Sequence, residues 1–285
     1  MASGYCPSAR PCLTLVEVPL DGIAKQGRFL LALPMFVYPV LHFVYTGFVA
    51  SIIPPWIPWH MFWTYFTAIT IMAAGVSIVL WKHAQLAATL LGIEIFLFCA
   101  LIHVFLIFHA PGDPWAGRPT FGDLPSRLIN FPKDLGLSGA VFIFAGTQSE
   151  AFRKSGKDKV LTLGRLILAL CIAAFGMLHF VYPAYAPGIP PMSASVSFPI
   201  PGHLFWVYLT GSALLALAAC IATNWKAREA AMLLGWMILL FDLLTWVPVF
   251  TAHPMEMTGN WLKDIGIAGG AFILADSLSR KDVAA

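Results

Sequence analysis

Charge is what this sequence has least of. Only 11% of its 285 residues are Asp, Glu, Lys or Arg, against 59% that are hydrophobic, where a soluble domain carries roughly a quarter charged residues. Water does not solvate a surface this apolar, and the apolar runs have spanning rather than strand length, so a soluble fold is set aside and lipid must cover the chain. A dense basic patch is missing too: net charge is +3 and the basic residues are scattered among loops, which removes nucleic acid from the partners. No CxxC pair occurs among Cys6, Cys12, Cys99, Cys171 and Cys220. The last three fall in apolar runs and read as small hydrophobes; the first two sit on a tail expected in the cytoplasm, where a lasting disulfide is not expected. HExxH, a glycine-rich phosphate loop, a Walker motif and a Ser-His-Asp order are all lacking, as is any clear haem or iron–sulfur motif, so the chain brings no redox centre of its own. The first 24 residues do not show the basic-then-apolar order of a cleavable signal, which leaves the first spanning helix as the expected targeting signal.

What the sequence does have is long apolar segments. Eight run over about 28–52, 60–81, 84–109, 132–149, 162–184, 203–223, 227–251 and 262–278, each near the ~20 residues that a bilayer core of ~30 Å requires at 1.5 Å per residue. The expected fold is all-α: an integral membrane bundle of about eight transmembrane helices. Pro34 and Pro39 predict a kink in the first. Arg118, Arg127, Lys133 and Lys263 fall on one side of this arrangement and the remaining Lys and Arg on the other. By the positive-inside rule the second side is cytoplasmic, holding both termini of a multi-pass protein of the cell membrane. The outward loops are rich in Pro and Trp, as in Pro54-Pro55-Trp56-Ile57-Pro58-Trp59, and Trp belongs at the membrane interface.

The halves repeat. Leu41-His42-Phe43-Val44-Tyr45 recurs as Leu178-His179-Phe180-Val181-Tyr182, and His60-Met61-Phe62-Trp63-Thr64-Tyr65 as His203-Leu204-Phe205-Trp206-Val207-Tyr208. Asn130-Phe131-Pro132-Lys133-Asp134-Leu135-Gly136-Leu137 recurs as Asn260-Trp261-Leu262-Lys263-Asp264-Ile265-Gly266-Ile267. Three matches in one order indicate a duplication, and an even number of spans per copy makes the two four-helix repeats parallel. The expected organisation is a cytoplasmic tail over 1–24, a first four-helix unit over 25–149, a basic linker read as a solvated loop over 150–161, and a second unit over 162–285.

An ionisable side chain inside a spanning helix costs roughly 3 kcal/mol or more, so it needs a reason. In the first unit His42, His60, His103, Lys133 and Asp134 fall at a similar outer depth; the second supplies His179, His203, Asp242, Lys263 and Asp264. Cys99 and His103 stand at i and i+4; Asp242 aligns with Cys99, and Trp246 with His103. Tyr45 and Tyr182 follow their histidines by three residues, close enough to share a cavity wall, and Tyr65 and Tyr208 lie in the repeated second-helix motif. Together these form a candidate pocket. The competing reading is an interhelical hydrogen-bond network with no other task. The members of Lys133-Asp134 and of Lys263-Asp264 point about 100° apart, so each pair leaves open which side chain faces inward, with a slight preference for Lys. The acidic members also suit helix N-termini, which Asn130 and Asn260 would cap. Glu94 stands alone in the third helix, as a proton relay or as a protonated carboxyl bonded to a neighbouring helix. His253, Met255 and Met257 form a weak metal motif of Cu(I) type.

The His-Phe pair in the first helix, the Pro-rich loop, the Tyr-bearing second helix and Asn-x-x-Lys-Asp-Leu-Gly-Leu opening the fourth together resemble the DoxX-like family, within the DoxX/DoxD superfamily of small four-helix membrane proteins. Here the pattern occurs twice and covers nearly the whole chain outside tail and linker; the family's common form is a single unit. By resemblance, His42, His179, Lys133 and Lys263 match positions where the family carries polar groups. The family includes a subunit of a thiosulfate:quinone oxidoreductase and proteins that accompany redox-enzyme maturation. The resemblance therefore implies a quinone-interacting subunit or accessory of a membrane redox system, with membrane lipid and a redox protein on the outer face as partners. Quinone stands first as a cofactor, with haem between histidines or copper behind it. Two other readings stay open: a non-enzymatic scaffold or assembly factor, and a small-molecule transporter.

Overall fold

Within lipid every backbone N–H and C=O must be satisfied inside its own segment, and for these apolar runs the α-helix does so. The computed structural model describes residues 20–108, 124–183, 203–252 and 260–282, with side chains over 26–108, 128–183, 204–244 and 261–278. It is a multi-pass helical bundle, and among the described residues six helices are long and apolar enough to cross a membrane.

In chain order the elements are α1 (Leu20–Val44), α2 (Thr46–Ile52), α3 (His60–Leu80), α4 (Ala84–Phe98), a π-helical turn (Cys99–His103), α5 (Val104–Phe108), α6 (Leu124–Thr147), α7 (Glu150–Ser155), α8 (Lys159–Val181), α9 (His203–Thr223), α10 (Ala227–Ala252) and α11 (Asn260–Asp282). Four of these differ from the sequence expectation. The first segment stays helical through Pro34 and Pro39 and breaks at Tyr45 (φ −111°, ψ 36°); both prolines are buried, so packing holds the flanking turns where a donor is missing. The third segment is interrupted by the π turn, where Val104 N–H reaches back to the Cys99 carbonyl. The fourth begins at Leu124, so Asn130 lies inside α6 rather than capping it. Asp134 is likewise beyond the first turn, where the macrodipole has faded. The linker holds a short helix: Ser149 Oγ accepts from Phe152 N–H at 3.0 Å to open α7, Gly156 (φ 63°) ends it, and Asp158 Oδ1 accepts from Val160 and Leu161 N–H to open α8.

The centre of the bundle is α6. In its apolar stretch, Leu128–Thr147, 89% of residues are buried inside the protein, against 33–39% in the other five spans. α11 lies against it, buried almost continuously from Gly266 to Ala275. α1 packs on α11 and α3, whereas α8 packs on α6 and α9; α4 covers α6 and α10 covers α11. The first helix of each half thus leans on the last helix of the other half. Glycines allow this approach. A Cβ at Gly164 would fall 2.6 Å from the Gly139 carbonyl oxygen, and one at Gly269 would fall 2.6 Å from that of Gly27, so α6–α8 and α11–α1 touch backbone to backbone, as small residues permit in membranes.

A buried charge cluster between the central helices

Lys133 and Asp134 follow one another on α6, and Lys263 and Asp264 on α11. The two helices face each other with these positions in register, and the charges pair crosswise. Lys133 Nζ meets Asp264 Oδ2, and Lys263 Nζ lies 2.6 Å from Asp134 Oδ1. All four side chains are largely buried, with side-chain exposures of 6%, 11%, 14% and 18% for Lys133, Asp134, Lys263 and Asp264. The sequence left open whether Lys or Asp turns inward. Both do, because each Lys takes its partner from the opposite helix. In a low-dielectric interior such pairing offsets the desolvation that each charge alone would suffer.

Two more ionisable groups join the four. The π turn carries His103, also buried, to Asp134 Oδ2, its Nε2 in contact. On the other side Asp242 of α10 lies within hydrogen-bond reach of Asp264, and its Oδ2 is buried without a donor. Cys99, which opens the π turn at the position that aligns with Asp242, donates from Sγ to the Phe131 carbonyl at 3.4 Å. Sequence reasoning missed Tyr38 and Cys171. Tyr38 lies within electrostatic reach of Asp134 and Asp264; Cys171 is within reach of Asp264 and Lys133, and its Sγ packs against Gly136, where a Cβ would clash with it. Tyr38 stands one turn before His42, which was the available signal.

His42 stands one helical turn beyond Tyr38 on α1, and His179 two turns beyond Cys171 on α8. His42 Nδ1–H donates to the Tyr38 carbonyl and His179 Nδ1–H to that of Phe175, both at 2.8 Å. A carbonyl only accepts, so in both rings the proton sits on Nδ1 and Nε2 presents a lone pair. His179 is 5% exposed, and its Nε2 is buried without a partner. The aromatic surroundings are alike: Phe43 stacks on Tyr65 with centroids 5.7 Å apart, and Phe180 on Tyr208 at 5.5 Å.

The remaining candidates lie elsewhere. Tyr45, Tyr65 and Tyr208 are exposed on the bundle surface, and Tyr182 ends α8 half-buried. His60 opens α3, its Nε2–H 3.2 Å from the Pro54 carbonyl, closing the preceding loop. The His203 side chain and residues His253, Met255 and Met257 lie outside the described residues. Glu94 accepts from Thr70 Oγ of α3 at 2.8 Å. Among the described residues no group of three or more His, Cys, Asp or Glu side chains could hold a metal. Comparison with protein-family models, curated proteins and solved structures found no match.

Proposed function

We propose that the chain is a DoxX-like protein of two parallel four-helix repeats, eight spans in all, with both termini in the cytoplasm, and that it serves a membrane redox system by holding a quinone-class headgroup. The topology is supported by the lengths of α10 and α11, 26 and 23 residues, or about 39 and 34 Å at 1.5 Å per residue against a core of ~30 Å. The observation that carries the ligand is the buried, unpartnered Nε2 of His179. A native protein rarely leaves such an atom without a partner. With its proton on Nδ1, the neutral ring offers a lone pair that accepts a hydrogen bond from a hydroxyl of the reduced, quinol form.

Native mass spectrometry of the protein in mild detergent tests this. A quinone-class mass is expected in the wild type and in a Lys154→Ala control, and is expected to be lost from His179→Phe at unchanged melting behaviour. A wild type that carries only phospholipid, and does not take up added ubiquinol, overturns the reading.

The second reading is a non-enzymatic scaffold. The observation that favours it is the crosswise pairing of the central Lys and Asp residues, an arrangement suited to holding two halves together. It leaves the bare atoms of His179 and Asp242 unexplained.

A further inference from the structure

The four central charges cancel: two Lys, each on an Asp of the other helix. What remains is His103 on Asp134 and Asp242 on Asp264, and these two positions break the repeat pattern, since their counterparts are Trp246 and Cys99. The two additions are complementary. A neutral His103 with a protonated Asp242 leaves the cluster uncharged; so does an imidazolium at His103 with an ionised Asp242. The forms differ by the place of one proton.

We propose that the cluster is a single-proton site, holding one exchangeable proton on the Asp242–Asp264 carboxyl pair and balancing its departure by protonation of His103. Two carboxyls in hydrogen-bond contact need a proton between them, because two anions at that distance repel. The bare Oδ2 of Asp242 points the same way, since a buried ionised oxygen without a donor is far costlier than a neutral one. Among the described residues the groups that face it are Lys263 from α11, Lys133 and Asp134 from α6, Cys99 from the π turn, Tyr38 from α1 and Cys171 from α8. The two Lys are each committed to a carboxylate of the facing helix, and the Cys99 thiol donates to the Phe131 carbonyl. The exchange moves a proton and no electrons, and it stands whether or not a headgroup binds at His179.

Infrared spectroscopy of the protein in lipid reads the site directly. The spectrum is taken in a Glu94→Gln background, because Glu94 is a second intramembrane carboxyl. A protonated-carboxyl C=O band is expected at neutral pH, shifted in D2O, retained in His103→Gln and absent from Asp242→Asn and from Asp242→Cys. The cysteine variant installs the side chain that the aligned position already tolerates, which guards against a folding failure. A background spectrum with no such band overturns the proposal without any further variant. A band that persists unchanged in both Asp242 variants, or that disappears in His103→Gln, overturns it as well.

Discussion

At the scale of single residues, the crosswise pairs set a clear expectation. Lys133→Ala leaves Asp264 buried without its cation, and removing one member of a buried pair costs about 3–5 kcal/mol. Replacing both partners by apolar side chains of similar size, Lys133→Met with Asp264→Leu, all variants being compared in an Asp242→Cys background so that no carboxyl is left facing the lost one, removes the charge and its desolvation together. The double variant is therefore expected to recover most of that loss, read as the midpoint of reversible unfolding in bicelles or mixed micelles. A double variant as unstable as the single would mean that the pair does not interact as placed. The same residues show how much of the site the sequence carried. Composition made Lys133, Asp134, Lys263 and Asp264 conspicuous, because charge in a spanning helix needs compensation. It could not say with what, since partners 131 residues apart are chosen by helix packing. His103 was visible for the same reason, yet its aim at Asp134 depends on a π turn that no pattern in Cys99–His103 announces. Tyr38 and Cys171 looked like ordinary residues of an apolar helix, and only the fold brings them near charge.

At the scale of helices, the close crossings α6–α8 and α11–α1 rest on glycine. Gly139→Val and Gly269→Val each place a branched side chain against the backbone of the facing helix, at Gly164 and Gly27. Overpacking of this kind costs about 1–3 kcal/mol, and both variants are expected to unfold at lower denaturant than wild type. Gly47 of α2 is the control: a Cβ there meets nothing within 4 Å, so Gly47→Ala is expected to be neutral or to stabilise by about 0.5–1 kcal/mol through helix propensity. Equal loss at all three positions would show that the crossings are not where stability resides. Helix existence and rough extent were readable from hydrophobic length, as α3, α8 and α9 illustrate. The early start of α6 was not, because its first turns, around Pro125 and Arg127, lack the apolar signal by which spans are recognised. Nor was α7, whose charges read as loop while its ends are set by Ser149 and Gly156.

For the whole molecule, the consequential feature is that each central helix packs most heavily on a helix from the other half of the chain. α1 leans on α11 and α8 on α6, so each half of the chain, taken alone, leaves the face of its last helix uncovered. In lipid that face is not expelled by water; helices associate through close van der Waals packing and polar contacts, and here both kinds lie between the halves, at Gly27–Gly269, Gly139–Gly164 and the Lys–Asp pairs. Cutting the chain within the exposed turn after α7, between Gly156 and Lys157, breaks no helix and spares the Asp158 cap. Residues 1–156 and 157–285 expressed together, each with its own tag, are expected to copurify from mild detergent in equal amount, whereas each fragment alone is expected to be degraded or to self-associate. Lys133→Asp in one fragment places three carboxylates together and is expected to weaken recovery of the pair; Asp264→Lys in the other restores a facing cation and is expected to return it. Two fragments that are each stable and monodisperse alone, and do not copurify, would show that the halves fold as independent bundles and that the contacts between them are dispensable.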